Sequence, residues 1–454
     1  MKIIVIGINH AGTSAIRTLL EQNKEHEVTA LDRNDNISFL GCGIALTVSG
    51  VVKDTNDLFY SNPAALKKIG ANVLMNQDVK KIDRKNKIVY SVDLKTNKKS
   101  EFKYDKLIYA AGSWPISSRA ENRNLKNVEI CKLYQHALQL IEKANDPSIK
   151  SVTIVGAGYI GIELAEAYKL KGKDVHVIDF QKRILANYVD KEISDSVEET
   201  LKAKGIKLHL GQGVVAYEGK THVTAIKTTK ETIKTDLVIE SIGFTPNHEL
   251  LVGVKKTAKK AIIVDSGCKT SDPNIYAIGD VAAFYDAATK KHRNIALATN
   301  AVKSGIVSAC QINGVKQVKL ESVVGTNALC VFDKKIASTG LSEETAVNIW
   351  NMKVKSCYYE DNDRPEFMNS FNKVAIKIVY EEKSLRLVGA QILSTGTSNH
   401  SEWIMALGLA IQQGMNLFQI ALSDVYFLPH LNKPFNFVLS SILKTLGFKY
   451  FDKK

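Results

Sequence analysis

Val152-Thr-Ile-Val155-Gly156-Ala-Gly158-Tyr-Ile-Gly161 decides the fold. Val152 to Val155 reads as a buried-type strand, the three glycines fall at G-x-G-x-x-G spacing, and Ile162 to Leu170 continues as a helix. The glycines have separable roles. One makes the tight turn, one lets the backbone approach a pyrophosphate, and one lets the helix pack on the strand. The free N–H groups and partial positive charge of the helix N-terminus then face the phosphates. A returning strand, Asp174 to Ile178, is closed by Asp179, eighteen residues after Gly161. A carboxylate there accepts from an adenosine 2′-OH and repels a 2′-phosphate, so NAD is favoured over NADP. Lys182 and Arg183 just beyond soften that repulsion.

The same grammar opens the chain. Lys2 to Gly7 is a strand and its turn, Ala11 to Asn23 a helix, and Glu27 to Leu31 a strand ending at Asp32, twenty residues after Gly12. This turn, Gly7-Ile8-Asn9-His10-Ala11-Gly12, departs from the fingerprint because Asn9 replaces the middle glycine. Two such openings in one chain mean two domains of related architecture rather than one long sheet. Three further strands run into glycine turns: Leu107 to Gly112, Leu237 to Gly243, and Ile275 to Gly279-Asp280. Asp280 suits a contact to a polyol chain, the alternative being a helix N-cap ahead of Val281. Past about Leu320 the pattern turns to strands (Lys373 to Tyr380, Leu385 to Leu393) and helices (Glu402 to Gln413, Phe435 to Leu446) with no nucleotide turn. That is a separate α+β domain. The fold class is therefore α/β: two Rossmann-like nucleotide-binding domains plus a C-terminal α+β domain.

The 454 residues suffice for about three domains at roughly 150 each. Hydrophobic content of 45% and charged content of 24% exclude disordered and collagen-like classes. No apolar run approaches the ~18 residues of a membrane span, and Met1 to Gly7 is too short for a signal-peptide core. The net charge of +14 invites nucleic acid or a membrane surface. Its lysines are scattered, however, as at Lys67-Lys68, Lys98-Lys99 and Lys259-Lys260, and no basic run interleaves with aromatics. They read as a solvated surface. Six cysteines with neither CxxC nor zinc spacing point to a reducing cytoplasm and to no metal site.

Cys42 stands apart from the other five. In Ser38-Phe-Leu-Gly-Cys42-Gly-Ile-Ala-Leu46 it lies between glycines at the start of an expected helix, whose dipole lowers a thiol pKa. Without a neighbouring cysteine, its reversible oxidised form is a sulfenic acid or a mixed disulfide. His10, inside the first phosphate turn, titrates near neutrality and aims a proton donor at whatever lies above it.

Taken in order, the two glycine turns with Asp32 and Asp179, Ser38 to Gly43, Ala110-Ala111-Gly112, Gly243, Ile275 to Asp280 and Leu297-Ala-Thr-Asn300 resemble the FAD-dependent pyridine nucleotide–disulfide oxidoreductase family. The single-cysteine branch is the nearest in pattern: water-forming NADH oxidase, NADH peroxidase and coenzyme A-disulfide reductase. The resemblance covers the whole chain. It implies FAD held by Gly7, Ile8, Asn9, His10, Ala11, Gly12, Asp32, Cys42, Ala110, Ala111, Gly112, Ser113, Lys132, Asp280, Leu297, Ala298 and Thr299. It implies NADH held by Gly156, Gly158, Tyr159, Ile160, Gly161, Asp179, Tyr188 and Gly243, with Tyr159 gating the flavin face. Cys42 and His10 become the catalytic pair, His10 hydrogen-bonding to the oxidised sulfur. The implied divisions are FAD-binding over 1–113, a connecting segment of the same domain over 114–149, NAD-binding over 150–266, a return of the FAD domain over 267–319, and a dimerisation domain over 320–454. That last domain implies a homodimer, with Tyr426 to Pro429 reaching the partner's active site.

His10 and Gly43-Ile-Ala-Leu46 resemble the oxidase and peroxidase members more than the coenzyme A-disulfide reductases. The implied reaction is O2 to water at the expense of two NADH, through FAD and a Cys42 sulfenic acid. Peroxide or disulfide reduction with the same parts is the alternative within the branch. A flavin-bound redox sensor with a basic, polyanion-binding surface is the alternative from another class.

Overall fold

A computed structural model describes residues 1–448. The Lys2–Ile6 strand sits at the centre of a five-stranded sheet in the order Ile275–Ala277, Lys106–Tyr109, Lys2–Ile6, Glu27–Leu31, Asn72–Leu74. All four pairings are parallel. A second parallel sheet repeats the plan: Val128–Ile130, Leu237–Glu240, Ser151–Val155, Asp174–Asp179, Lys207–Leu210. Central strands such as Ile3-Ile-Val-Ile6 and Val152-Thr-Ile-Val155 are buried on both faces, so they read as continuous rather than alternating apolar runs.

Each sheet takes its outer strand from across its partner domain. Ile275–Ala277 returns to the first sheet from beyond the second, as the sequence suggests. Val128–Ile130, however, pairs with Leu237–Glu240 in the second sheet. The 114–149 segment was expected to belong wholly to the first domain, and this part of it does not. Its following helix, Tyr134–Asn145, buries Ala137, Leu140 and Ala144 in the same apolar cluster as Val152 and Ile154. A three-residue strand has too short a pattern to show which sheet it joins. Each domain also carries a small antiparallel sheet, Gln77–Asp83 to Lys99–Lys103 in one and Val214–Glu218 to Thr232–Lys234 in the other.

The last domain is a five-stranded antiparallel sheet in the order Asn327–Val331, Lys334–Gly340, Leu387–Ser394, Lys373–Glu381, Val354–Asn362. Its helices Trp403–Gln412 and Phe437–Thr445 match the expected pair within two residues. Leu329, Val331, Ile336 and Leu393 join the cluster that holds Val152, Ile44 and Leu58, so all three domains share one apolar junction. No helix among the described residues is long and apolar enough to cross a membrane.

Candidate active site

The two phosphate turns lie at the carboxyl ends of their sheets, where open α/β sheets place ligands. In the first, Gly7 adopts φ +90°, and a Cβ there would meet the Ala110 carbonyl oxygen at 2.3 Å. Of the expected Ala110 to Ser113 segment, Ala110 and Ala111 thus border the turn directly. The helix begins at His10, one residue earlier than its apolar pattern suggests, with Asn9 at its N-cap. Asp32 accepts the Ile8 N–H at 2.6 Å on one oxygen and the Asn34 N–H at 2.8 Å on the other. Burial holds its carboxyl above the usual carboxylate range.

Ser113, Lys132 and Asp280 converge beside this turn. The Ser113 hydroxyl donates to Asp280 Oδ2 at 2.7 Å, and Lys132 Nζ donates to the same oxygen at 3.3 Å and to Ser113 Oγ at 3.1 Å. Lys132 also lies 4.5 Å from the centre of the Phe244 ring. Asp280 is inside the short Gly279–Val281 turn, and its side chain meets Ser113 and Lys132 rather than capping a helix. Leu297 caps the Ala298–Ile312 helix, which packs against the His10–Gln22 helix. Gly305 permits that crossing, since a Cβ there would stand 2.4 Å from the Ala11 carbonyl oxygen. Gly41, the neighbour of Cys42, approaches the same cluster, a Cβ on it standing 3.5 Å from the Lys132 carbonyl oxygen.

Cys42 is exposed, and all six cysteines are unpaired. The segment before it is well anchored. Ser38 takes φ +60°, its N–H donates to the Ile8 carbonyl at 3.4 Å, and its hydroxyl donates to the Ser61 carbonyl at 2.7 Å. The expected helix starts two residues late: Gly41–Gly43 is a single tight turn and Ile44–Ser49 the helix. The expected lowering of the thiol pKa is not what the protein produces. Although Cys42 reaches the surface, the segments packed around it partly desolvate the thiol, and this desolvation with the Glu163 charge pushes its pKa up, outweighing the local backbone N–H. A six-residue helix that begins beyond the sulfur supplies too little dipole to win.

The Ser38–Ser61 clasp brings Tyr60 to His10. The rings stack with centroids 5.6 Å apart, and the Tyr60 oxygen is 3.0 Å from His10 Nδ1. Burial pushes the phenol up to about 12 and holds the imidazole below its ordinary value. Both are neutral at pH 7. Tyr60 carries no local sequence signal, because its partner is fifty residues away.

The second turn repeats the first. Gly156 adopts φ +109°, and a Cβ there would meet the Ser241 carbonyl oxygen at 2.5 Å. Asp179 accepts the Ala157 N–H at 2.7 Å and the Gln181 N–H at 2.8 Å. The helix starts at Tyr159 and not at Ile162. Tyr159 stacks on Tyr188 at 4.1 Å, and its hydroxyl is 3.3 Å from Ser338 of the last domain. Gly243, at φ +114°, follows the Leu237–Glu240 strand, and its carbonyl accepts the Ile116 N–H at 2.9 Å. One turn beyond Tyr159 stands Glu163, a residue the sequence does not single out; burial and Glu166 push its carboxyl up to about 7.

Two glycine cradles, each with an acidic strand end, and an exposed lone cysteine anchored to one of them define a dinucleotide-dependent oxidoreductase. The pyridine nucleotide-disulphide oxidoreductase family model matches residues 1–305, and that family's dimerisation domain matches residues 326–436. The chain belongs to this family. It is 49% identical to an NADH oxidase of Mycoplasma pneumoniae, over 100% of this chain and 99% of that protein. A solved water-forming NADH oxidase from Lactobacillus brevis, bound to NADH, is 38% identical with a TM-score of 0.95, covering 98% of both chains. An NAD(P)H coenzyme A polysulfide/persulfide reductase of Pyrococcus horikoshii is more distant, 30% identical over 87% of each chain.

Proposed function

We propose that the chain is a FAD-dependent NADH oxidase that reduces O2 to water, with Cys42 as its sulfenic acid centre. The observation that carries this reading is an exposed, unpaired Cys42 tied through Ser38 to the first glycine cradle. Similarity to relatives named NADH oxidase over the full chain supports the choice of substrate.

The residues present fit both cofactors. Gly7 and Gly156 let each turn pack directly against a neighbouring strand-end carbonyl, of Ala110 and Ser241, and the free N–H groups at the starts of the His10 and Tyr159 helices would receive the diphosphates. Asp32 and Asp179, each oriented by backbone N–H groups, keep lone pairs for a ribose hydroxyl. Ser113, Lys132 and Asp280 supply a polar cluster for the flavin side. FAD held there would supply hydride acceptance from NADH and electron delivery to oxygen and to oxidised Cys42. Tyr159, stacked on Tyr188, would gate access of the nicotinamide to the flavin face.

The protein's own step is at sulfur. Cys42 attacks peroxide as its thiolate, the S–O bond forms as the O–O bond breaks, and the proton lost from sulfur passes to the departing hydroxide, giving a Cys42 sulfenic acid and water. In the tautomer in which Nδ1 accepts from the Tyr60 hydroxyl, 3.0 Å away, neutral His10 would carry its proton on Nε2 and donate it in a hydrogen bond to the sulfenic oxygen. A second NADH with one proton restores the thiol and releases the second water, so two NADH, two protons and one O2 give two NAD+ and two waters.

The large apolar residues exposed on the last domain, among them Phe418, Leu422 and Tyr426, suit burial against a second copy, consistent with the matched dimerisation domain. Six unpaired cysteines suit a reducing cytoplasm.

The test is the product. Wild-type enzyme should consume one O2 per two NADH without releasing peroxide, whereas Cys42→Ser should keep oxidising NADH and release one hydrogen peroxide per NADH. A Cys42→Ser enzyme that still forms only water would refute the assignment. Turnover with peroxide or coenzyme A disulfide but not O2 would place the chain with the other members of the branch.

A further inference from the structure

Arg183 is the one cation among the described residues lining the small cavity at the second cradle, alongside Asp179, Gln181, Asn187 and Tyr188. From the sequence it is a candidate partner for a 2′-phosphate. The structure engages it elsewhere. Its Nε–H donates to Glu344 Oε2 at 3.2 Å, and one terminal nitrogen donates both to that oxygen and to the Ala186 carbonyl, the latter at 3.2 Å. The other terminal nitrogen donates to the Val189 carbonyl. Four of the five guanidinium N–H groups are thereby accounted for.

Glu344 belongs to the C-terminal domain, in the first turn of the Glu343–Asn348 helix. Its backbone is fixed from the cradle side, because Asp190 accepts the Glu343 N–H at 2.9 Å and the Glu344 N–H at 3.2 Å. Ser342 caps the same helix by accepting the Thr345 N–H at 3.1 Å. Buried Lys377 adds a second tie, 3.0 Å from both Glu192 and Glu343. The carboxylate that holds Arg183 is therefore delivered by a rigid contact between domains, although its own side chain is 52% exposed. With Glu344 half open to solvent, the pair's charge attraction is screened and adds little to folding. Its consequence is positional: the guanidinium closes the loop from Ala186 to Val189, and its donors are engaged there although the side chain lines the cavity.

We propose that Glu344 is a specificity-determining residue for the coenzyme, acting by holding Arg183 away from a 2′-phosphate. Asp179 repels that phosphate directly; Glu344 removes the cation that would offset the repulsion. The proposal rests on the reading of the second cradle as the NADH site.

The experiment is steady-state turnover of the flavin-loaded enzyme with NADH and NADPH, in wild type, Glu344→Gln, Glu344→Asp and the double variant Glu344→Gln/Arg183→Ala. Glu344→Gln should lower KM for NADPH about tenfold, the scale of a charge-assisted hydrogen bond to phosphate, and leave kcat and KM for NADH within about twofold. Glu344→Asp should restore the wild-type preference, and the double variant should lose the gain. Equal shifts for both coenzymes, no shift, or a gain that survives loss of Arg183 would overturn the proposal. A wild type whose KM for NADH is unaffected by Asp179→Ala would instead overturn the underlying reading of the cradle, and this proposal with it.

Discussion

The two cradles are one device built twice, and the places where they differ separate what the fold demands from what each cofactor demands. The backbone bonds correspond one for one: Gly7 N–H donates to the Leu31 carbonyl and Gly156 N–H to the Ile178 carbonyl, both at 2.8 Å. The acidic strand ends each accept one N–H from the turn and one from two residues on. The differences lie in side chains. The first helical residue is His10 in one cradle, stacked on Tyr60, and Tyr159 in the other, stacked on Tyr188. A titratable imidazole paired with a phenol sits over one turn and a stacked pair of tyrosines over the other.

The sharpest way to break this equivalence is to make the same substitution in both. Gly7→Ala and Gly156→Ala each put a Cβ within 2.5 Å of a backbone oxygen at positive φ. Strain alone costs about 1–3 kcal/mol, equivalent to roughly five- to 150-fold in an equilibrium constant, and the collision adds to it. Gly7→Ala should be purified depleted of flavin, judged by visible absorbance per protein. Gly156→Ala should keep its flavin and show a raised KM for NADH. Loss of the same cofactor in both variants would mean that the cradles are not separate sites.

The carboxylates come next. A hydrogen bond from a ribose to a charged acceptor contributes about 1.5–3 kcal/mol. Asp179→Asn should raise KM for NADH about tenfold with flavin content unchanged. Asp32→Asn should release flavin on dialysis and leave KM for NADH unchanged in the fraction that retains it.

Both carboxylates, both turns and the strand-to-glycine endings were legible in the sequence because each is fixed by neighbours within about twenty residues. Local periodicity and turn chemistry carry that information. What was not legible depends on distant partners. Val128–Ile130 chooses its sheet by pairing with a strand more than a hundred residues on. Tyr60 reaches His10 only because Ser38 and Ser61 clasp, and Arg183 is claimed by a residue in another domain. Lys132 came from family resemblance rather than from its own neighbourhood, since Ser113 and Asp280 meet it only in the folded chain. The Cys42 thiol shows the opposite error: a local rule about helix ends is overruled by burial and by Glu163.

Glu163 gives a smaller test, one that links the second cradle's helix to the first cradle's sulfur. Its carboxyl is held at about 7, above its unfolded value, so between roughly pH 4.5 and 7 the folded chain carries a proton that the unfolded chain has lost. Stability from this group is present at low pH and falls as pH rises through 7. Glu163→Gln should flatten that slope in thermal melts of the flavin-loaded enzyme. Removing the charge should also lower the Cys42 thiol pKa and speed its alkylation about two- to fivefold near pH 8, the effect of roughly 0.5–1 kcal/mol. No change in alkylation would separate the two elements electrostatically.

The smallest expected effect tests the middle position, where the cradles differ in sequence. Asn9 has φ −85° and Gly158 φ −79°, both open to any residue, and a Cβ on Gly158 would meet only the Tyr188 ring, at 3.9 Å. Neither turn needs glycine there for its own geometry, which is why the first carries asparagine. Gly158→Ala should therefore melt within about 0.5 kcal/mol of wild type, like a surface substitution. Any loss should appear only in KM for NADH, where the methyl group stands in the coenzyme's path. A destabilised Gly158→Ala would show that the glycine serves the fold, and the presence of Asn9 in the first cradle would then need another explanation.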